Sequence, residues 1–96
     1  MLENVVEKYL TRRVKELGGI TRKASFLAHR GAPDRLVLFP GILVWVELKA
    51  TGKKLSPLQA VEHATLEKFG QRVYVCDSIE TIERVLKEIL CNENTT

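Results

Sequence analysis

Sulfur ligands and histidines are scarce in this sequence. Its 96 residues include two cysteines, Cys76 and Cys91, and two histidines. The cysteines lack the paired spacing of a zinc site, and two are too few for a disulfide framework, so a reducing compartment is favoured. Cys76 closes an apolar segment and is predicted to fill the core. A disulfide-stapled or zinc-binding protein is therefore disfavoured.

Aromatic residues and long apolar runs are also few. Aromatics make up 6% of the chain, with one tryptophan. This composition disfavours a single-strand binding platform, which stacks bases on exposed rings. No apolar run approaches the roughly 20 residues of a membrane span, and the N-terminus lacks the pattern of a signal peptide. We therefore expect a soluble intracellular protein, cytoplasmic in location, with no membrane partner.

Positive charge is in excess, with 15 Lys and Arg against 12 Asp and Glu. Nine of these basic residues fall into three groups, at positions 12–15, 22–35 and 53–54. Such groups suit phosphate contacts that give affinity without base specificity, although a solvated helix face explains the first group equally well. Phosphate contacts are predicted for the basic residues nearest the motif described below: Lys23, Arg30, Arg35, Lys53 and Lys54.

The size of the chain limits its architecture. Ninety-six residues, of which 45% are hydrophobic, suffice for one domain with a modest core, which we expect to span residues 1–96. A domain this small presents little surface to a large substrate. A homodimer, with two sites related by a twofold axis, would widen that surface.

The most informative segment, residues 31–49, predicts a strand, a turn and a strand. Residues 36–39 and 42–46 are apolar and rich in β-branched side chains, and Pro40 and Gly41 separate them. An antiparallel hairpin centred on this turn would place Asp34 opposite the region of Glu47. Two carboxylates are therefore expected to converge at the open end of the hairpin.

Charged groups at the end of an apolar sheet are costly unless they are paired or bind a cation. Side chains alternate along a strand, so Glu47 and Lys49 share one face while Leu48 points into the core. Asp34 and Glu47, with the Leu48 carbonyl, would suit Mg²⁺, which keeps several waters. Lys49 could orient or deprotonate an attacking water, or neutralise charge on a phosphate. Each residue taken singly is also common as a solvated strand end.

Helices are predicted on both sides of this hairpin. Residues 3–17 carry apolar side chains at spacings of three and four, and Gly18 ends the helix. Glu3 lies on the apolar stripe and Glu7 at its edge; a carboxylate in the first turn could instead complement the helix dipole. Residues 20–27 are predicted as a partly basic edge strand and 28–31 as a loop.

The second helix is predicted to begin at Ser56 and Pro57 and to run to about Phe69. Gln59 completes a capping box with Ser56, which is a purely structural explanation. The alternative is that Gln59 faces the carboxylates and orients a water or phosphate. His63, four residues on, shares that helix face.

The remainder completes an αβββαβα order. Residues 72–76 predict a strand parallel to the one that ends in Glu47, because a helix connects them. A last amphipathic helix begins after Asp77 or Ser78, and residues 91–96 are predicted to be a frayed polar tail. We expect an α/β fold whose mixed sheet is flanked by helices.

These motifs together resemble the VRR-NUC domain, the virus-type replication-repair nuclease of the PD-(D/E)xK superfamily. The resemblance covers roughly residues 3–85 and is closest to small stand-alone phage-type members. It is carried by three sequence segments: Gly31-Ala32-Pro33-Asp34-Arg35, Val46-Glu47-Leu48-Lys49 and Leu55-Ser56-Pro57-Leu58-Gln59.

The resemblance implies a restriction-endonuclease-like core and an Mg²⁺- or Mn²⁺-dependent DNA endonuclease, with no small-molecule cofactor. It implies Asp34, Glu47, Lys49 and Gln59 as catalytic residues. The metal would be held by Asp34, Glu47 and the Leu48 carbonyl, with help from a glutamate of the first helix, Glu3 or its rival Glu7.

The resemblance further implies homodimers and branched DNA, such as four-way (Holliday) junctions, as substrate. Two alternatives remain at this point. One is a non-catalytic nucleic-acid-binding module that keeps the fold, and the other is an enzyme acting on linear DNA or RNA ends.

Overall fold

The computed structural model describes residues 1–27 and 29–94. Ala28 of the predicted loop and residues 95–96 of the predicted tail lie outside this description. The elements follow the predicted αβββαβα order and comprise α1 (Glu3–Glu16), β1 (Ile20–Lys23), a 3₁₀ turn (Ala24–Leu27), β2 (Arg35–Phe39), β3 (Ile42–Leu48), α2 (Pro57–Lys68), β4 (Val73–Cys76) and α3 (Ile79–Asn94).

The four strands form one mixed sheet in the order β1-β2-β3-β4. β2 pairs with β1 and β3 in antiparallel fashion, and β3 pairs with β4 in parallel, as the intervening helix predicts. The β2–β3 register aligns Phe39 with Ile42 and Arg35 with Val46. One residue further from the turn, Asp34 therefore stands opposite Glu47, as the hairpin pattern predicts.

Alternation along β3 separates the core from the site. Val44, Val46 and Leu48 are buried in the core that α1 and α3 close. Leu48 thus points into the core as predicted, and Glu47 between its neighbours points to the opposite face, toward α2. The predicted α/β fold, a mixed sheet flanked by helices, is confirmed. No helix in the described part of the chain combines the length and apolar character needed to span a bilayer.

The predicted strand over residues 20–27 is wrong in its second half. β1 ends at Lys23, which pairs with Arg35 at the start of β2. The Ala24 N–H still bonds the Asp34 carbonyl at 2.9 Å. Pro33 precedes Asp34 and has no N–H to donate, so the ladder cannot continue there. The chain instead turns into the 3₁₀ segment.

Helix α3 extends into the segment that the sequence predicts as a polar tail from Cys91 onward. α3 continues through this residue to Asn94. Ile89 is fully buried and Leu90 packs against the core, so the helix is anchored one turn before its end. Because the helix is already formed, adding residues to its end requires no new nucleation, and polar residues can continue it.

Candidate active site

Asp34 and Glu47 meet at the end of the β2–β3 hairpin. Asp34 Oδ2 accepts a hydrogen bond from the Leu48 N–H at 2.8 Å, which fixes the aspartate beside β3. Burial, followed by a hydrogen bond to Asp34 and the charge of Asp34, raises the pKa of Glu47 to about 8; Lys49 opposes this rise and Glu3 adds to it. Burial and the neighbouring Asp34 thus favour the protonated form of Glu47 while no cation is bound.

Helix α2 covers the other side of Glu47. Gln59 Nε2 donates to Glu47 Oε2 at 3.2 Å, and His63 Nε2 lies 3.2 Å from Glu47 Oε1. Glu47 is only 1% exposed. Both carboxylate oxygens thus have a partner on α2, and Asp34 approaches from the hairpin side.

Gln59 forms the predicted capping box and also faces the carboxylates. Its side-chain oxygen accepts from the Ser56 N–H at 2.9 Å, while Ser56 Oγ accepts from the Gln59 N–H at 3.2 Å, which completes the capping box. The amide nitrogen of the same side chain reaches Glu47. The cap therefore fixes the amide in the orientation that donates to the carboxylate.

His63 is the residue that sequence reasoning undervalued. It is 5% exposed, and its burial lowers the pKa of the imidazole even though Glu67 and other nearby carboxylates act to raise it. Above its ordinary pKa the ring is therefore neutral. The available signal was the spacing of four residues from Gln59, which places both on one helix face.

Glu3 and Glu7, the two candidate ligands from α1, have different surroundings. Glu3 lies near enough to Glu47 for its charge to raise the Glu47 pKa. Glu7 Oε1 instead lies 3.2 Å from Arg35, whose side chain is 12% exposed. The structure thus places Arg35 in an internal ion pair with Glu7 and not on a surface open to phosphate.

A surface cleft of about 400 Å³ opens beside Asp34. We call it the Asp34 cleft; its lining consists of Glu7, Lys23, Ala24, Ser25, His29, Arg30, Ala32, Pro33 and Asp34. Lys23 and Arg30 are exposed and place positive charge next to the carboxylate. Lys53 and Lys54 are exposed in the loop after β3 but do not line the cleft.

The loop that carries Asp34 is packed directly against α2. Gly31 has φ +84°, and a Cβ there would lie 2.6 Å from the Leu58 carbonyl oxygen. His29 Nε2 lies 3.1 Å from Glu62 Oε1 on the same helix. These contacts set the distance between the Asp34 loop and α2, whose side chains contact Glu47.

The donors at the site fit a hard divalent cation that takes few of its ligands from the protein. No group of three or more His, Cys, Asp or Glu that could hold a metal occurs within residues 1–27 and 29–94. The donors present are the carboxylates of Asp34 and Glu47, and the raised pKa of Glu47 indicates that its charged form needs a compensating cation beside Asp34. Mg²⁺ and Mn²⁺ suit carboxylate oxygens, and Mg²⁺ in particular keeps several waters in its coordination shell. The residues therefore fit a cation shared with water and substrate, and they do not fit a closed protein cage.

Comparisons with known proteins identify relatives of most of the chain. No protein-family profile matches it. It is 46% identical over 77 residues to a phage protein named "Putative nuclease p44", from Acyrthosiphon pisum secondary endosymbiont phage 1, across 79% of this chain and 83% of that protein. A solved structure described as a VRR_NUC domain is similar with a TM-score of 0.81 and 37% identity, across 88% of this chain and 94% of the other. This chain therefore belongs to the VRR-NUC domain family.

Proposed function

We propose that this protein is a metal-dependent, structure-specific DNA endonuclease. The observation that carries the proposal is the apposition of Asp34 and Glu47, beside Lys49 and a cleft with basic walls. Family membership supports phosphodiester hydrolysis as the reaction, because the relatives are described as a nuclease and as a VRR_NUC domain. Function is argued from the site, and the fold alone would not suffice.

Asp34 and Glu47 would hold Mg²⁺ or Mn²⁺, together with the Leu48 carbonyl and Glu3. Such an ion, when bound, neutralises charge on the phosphate and favours ionisation of a water. Lys49 would orient or deprotonate the attacking water, or stabilise charge on the phosphate oxygens.

Water would attack phosphorus in line, and the bond to the 3′ oxygen would break. The products would be a 5′-phosphate and a 3′-hydroxyl. Gln59 would hold Glu47 in place through its amide, as its hydrogen bond in the present structure indicates.

The nucleic-acid backbone would enter through the Asp34 cleft. Lys23 and Arg30 line it, and Lys53 and Lys54, exposed in the loop after β3, would add further basic surface. Such contacts position the backbone without reading its sequence. We propose branched DNA, such as four-way junctions, as the substrate, by analogy with small phage nucleases of this type.

A homodimer would suit paired cuts in a branched substrate, with one site for each strand. It is supported by apolar residues on the sheet face opposite the core. Ile20 and Leu43 both align with Leu38 in the sheet and are 48% and 44% exposed. An exposed apolar group of this kind is typical of a contact surface.

A non-catalytic nucleic-acid-binding module is the second candidate, and one observation favours it. Glu47 is 1% exposed beneath α2, which limits the access of a metal or a phosphate to its oxygens. This candidate predicts DNA binding without cleavage. The same site could also act on linear DNA ends, which changes the substrate and leaves the chemistry as proposed.

Cleavage of end-labelled substrates separates these candidates. The purified protein is incubated with a four-way junction, a flap, a duplex and a single strand, each with Mg²⁺, Mn²⁺ or EDTA. The proposal predicts cutting of branched DNA that requires the metal. Binding without cutting in any metal would support the second candidate, and equal rates on duplex and junction would contradict the branched substrate.

A further inference from the structure

Helix α2 buries one side chain, and that side chain is polar. Within Pro57–Lys68 the buried residue is His63. The aliphatic residues Leu58 and Val61 are 49% and 66% exposed on the same helix. A helix that only covered a sheet would be expected to turn such aliphatic residues inward. The inward position of the imidazole therefore requires another explanation.

The contact that His63 makes supplies one. A buried polar ring is costly unless it is hydrogen-bonded, and His63 Nε2 lies 3.2 Å from Glu47 Oε1. Gln59, one turn earlier, donates to Glu47 Oε2. Two consecutive turns of α2 thus hold the two oxygens of one carboxylate. Each oxygen can accept two partners, so each keeps a position for a further ligand.

Given the function proposed above, we infer that His63 is a positioning residue that orients Glu47 for metal binding. Its hydrogen bond holds the carboxylate in the orientation that faces Asp34. Carboxylates that bind metals are generally oriented by a hydrogen-bonding partner of this kind. His63 does not act on substrate, because its Nε2 is engaged by Glu47 and the ring is 5% exposed.

Three substitutions separate this role from simple packing. His63→Leu removes the hydrogen bond and replaces the polar ring with an apolar side chain of similar size that favours a helix. His63→Gln places an amide nitrogen near the position of the imidazole Nε2, so it restores the contact. Thr65→Ala is the matched control, since Thr65 lies exposed on the same helix and its hydroxyl donates to the Val61 carbonyl.

The first readout is the dissociation constant of Mn²⁺ for the full chain without DNA, measured by titration calorimetry. We expect His63→Leu to weaken binding about 10-fold or more, the usual effect of losing an orienting partner. His63→Gln should return to within about threefold of the unchanged protein, and Thr65→Ala should match it. The second readout is junction cleavage at saturating Mn²⁺, in which kcat should fall for His63→Leu while KM for DNA changes little.

Unchanged Mn²⁺ affinity in His63→Leu would overturn the inference, and so would His63→Gln being as weak as His63→Leu. If His63→Leu does not fold, His63→Asn replaces it, because the shorter Asn side chain does not reach Glu47. The inference then requires the His63→Asn protein to bind Mn²⁺ more weakly than the His63→Gln protein. Equal binding by those two variants overturns the inference. Absence of Mn²⁺ binding and cleavage in the unchanged protein would instead overturn the proposed function, so the two failures are distinguishable.

Discussion

The Gln59 side chain joins the N-terminus of α2 to Glu47, accepting from the Ser56 N–H at 2.9 Å and donating to Glu47 Oε2 at 3.2 Å. A single amide therefore serves both the helix cap and the candidate site. Because its two hydrogen bonds use different atoms, substitutions can separate the two roles.

Removing the cap should cost stability and little activity. Ser56→Ala should lower the free energy of unfolding by about 1 kcal/mol, the usual cost of losing an N-cap side chain. Its cleavage rate should stay within a few-fold of the original, since Gln59 keeps its bond to Glu47. Gln59→Ala should lower cleavage about 10- to 100-fold, as loss of an orienting partner does. Urea unfolding and junction cleavage measure the two effects, and equal losses of activity in the two variants would contradict this separation.

The raised pKa of Glu47 makes metal-free stability depend on pH. The group binds a proton in the folded state up to about pH 8 and loses it near 4.5 when unfolded. The folded state thus holds more protons between these values, so the free energy of unfolding should fall as pH rises, by at most about 1.4 kcal/mol per pH unit. Burial lowers the pKa of His63, which gives the opposite slope below about pH 6.5.

Urea unfolding in EDTA between pH 6.5 and 8 isolates the Glu47 contribution. Glu47→Gln is the control, because the amide keeps the shape of the side chain and cannot ionise. Its free energy of unfolding should vary less with pH over this interval. A slope that is the same in both proteins would assign the pH dependence to other groups.

Glu3 and Glu7 of α1 should respond differently to neutralisation. Glu7→Gln removes the partner of Arg35, whose side chain is 12% exposed, and should destabilise the fold by about 1–2 kcal/mol through the unpaired charge. Glu3→Gln removes an exposed carboxylate near Glu47 and should change stability little. We expect Glu3→Gln, and not Glu7→Gln, to weaken Mn²⁺ binding in calorimetry. The reverse pattern would make Glu7 the ligand from α1.

Basic residues of the Asp34 cleft should govern the salt dependence of DNA binding. Lys23→Ala and Arg30→Ala should each weaken binding at low salt and reduce the slope of log affinity against log salt by about 0.9, the value for one phosphate contact. Arg12→Ala is the control, because Arg12 pairs with Glu16 and stacks on Tyr9 away from the cleft. Fluorescence anisotropy with a catalytically inactive Asp34→Asn background measures all three slopes. Equal slopes for cleft and control variants would place the DNA elsewhere.

The hairpin could be predicted because local pattern determines it. Alternation and the Pro40-Gly41 turn fix the β2–β3 register, and that register brings Asp34 opposite Glu47. The same reasoning placed Leu48 in the core. The helix order then determined which strands are parallel.

Contacts between layers could not be predicted in the same way. The pairing of Glu7 with Arg35 and of His63 with Glu47 depends on how α1 and α2 are rotated against the sheet. Sequence spacing fixes which residues share a helix face but not which face meets the sheet. For this reason the sequence predicts Arg35 as a phosphate contact and shows only that His63 shares a helix face with Gln59.

Cleavage of a labelled four-way junction tests the central claim that the Asp34–Glu47 pair acts through a divalent cation. The unchanged protein is compared with Asp34→Asn and Glu47→Gln, in Mn²⁺ and in EDTA, with circular dichroism to confirm folding. We expect the unchanged protein to cut the junction in Mn²⁺ and not in EDTA. The cleavage rate of both variants should fall at least about 100-fold, the size of effect expected when a charge-stabilising group is removed. Cutting that persists in EDTA, or in a folded Asp34→Asn protein, would contradict it.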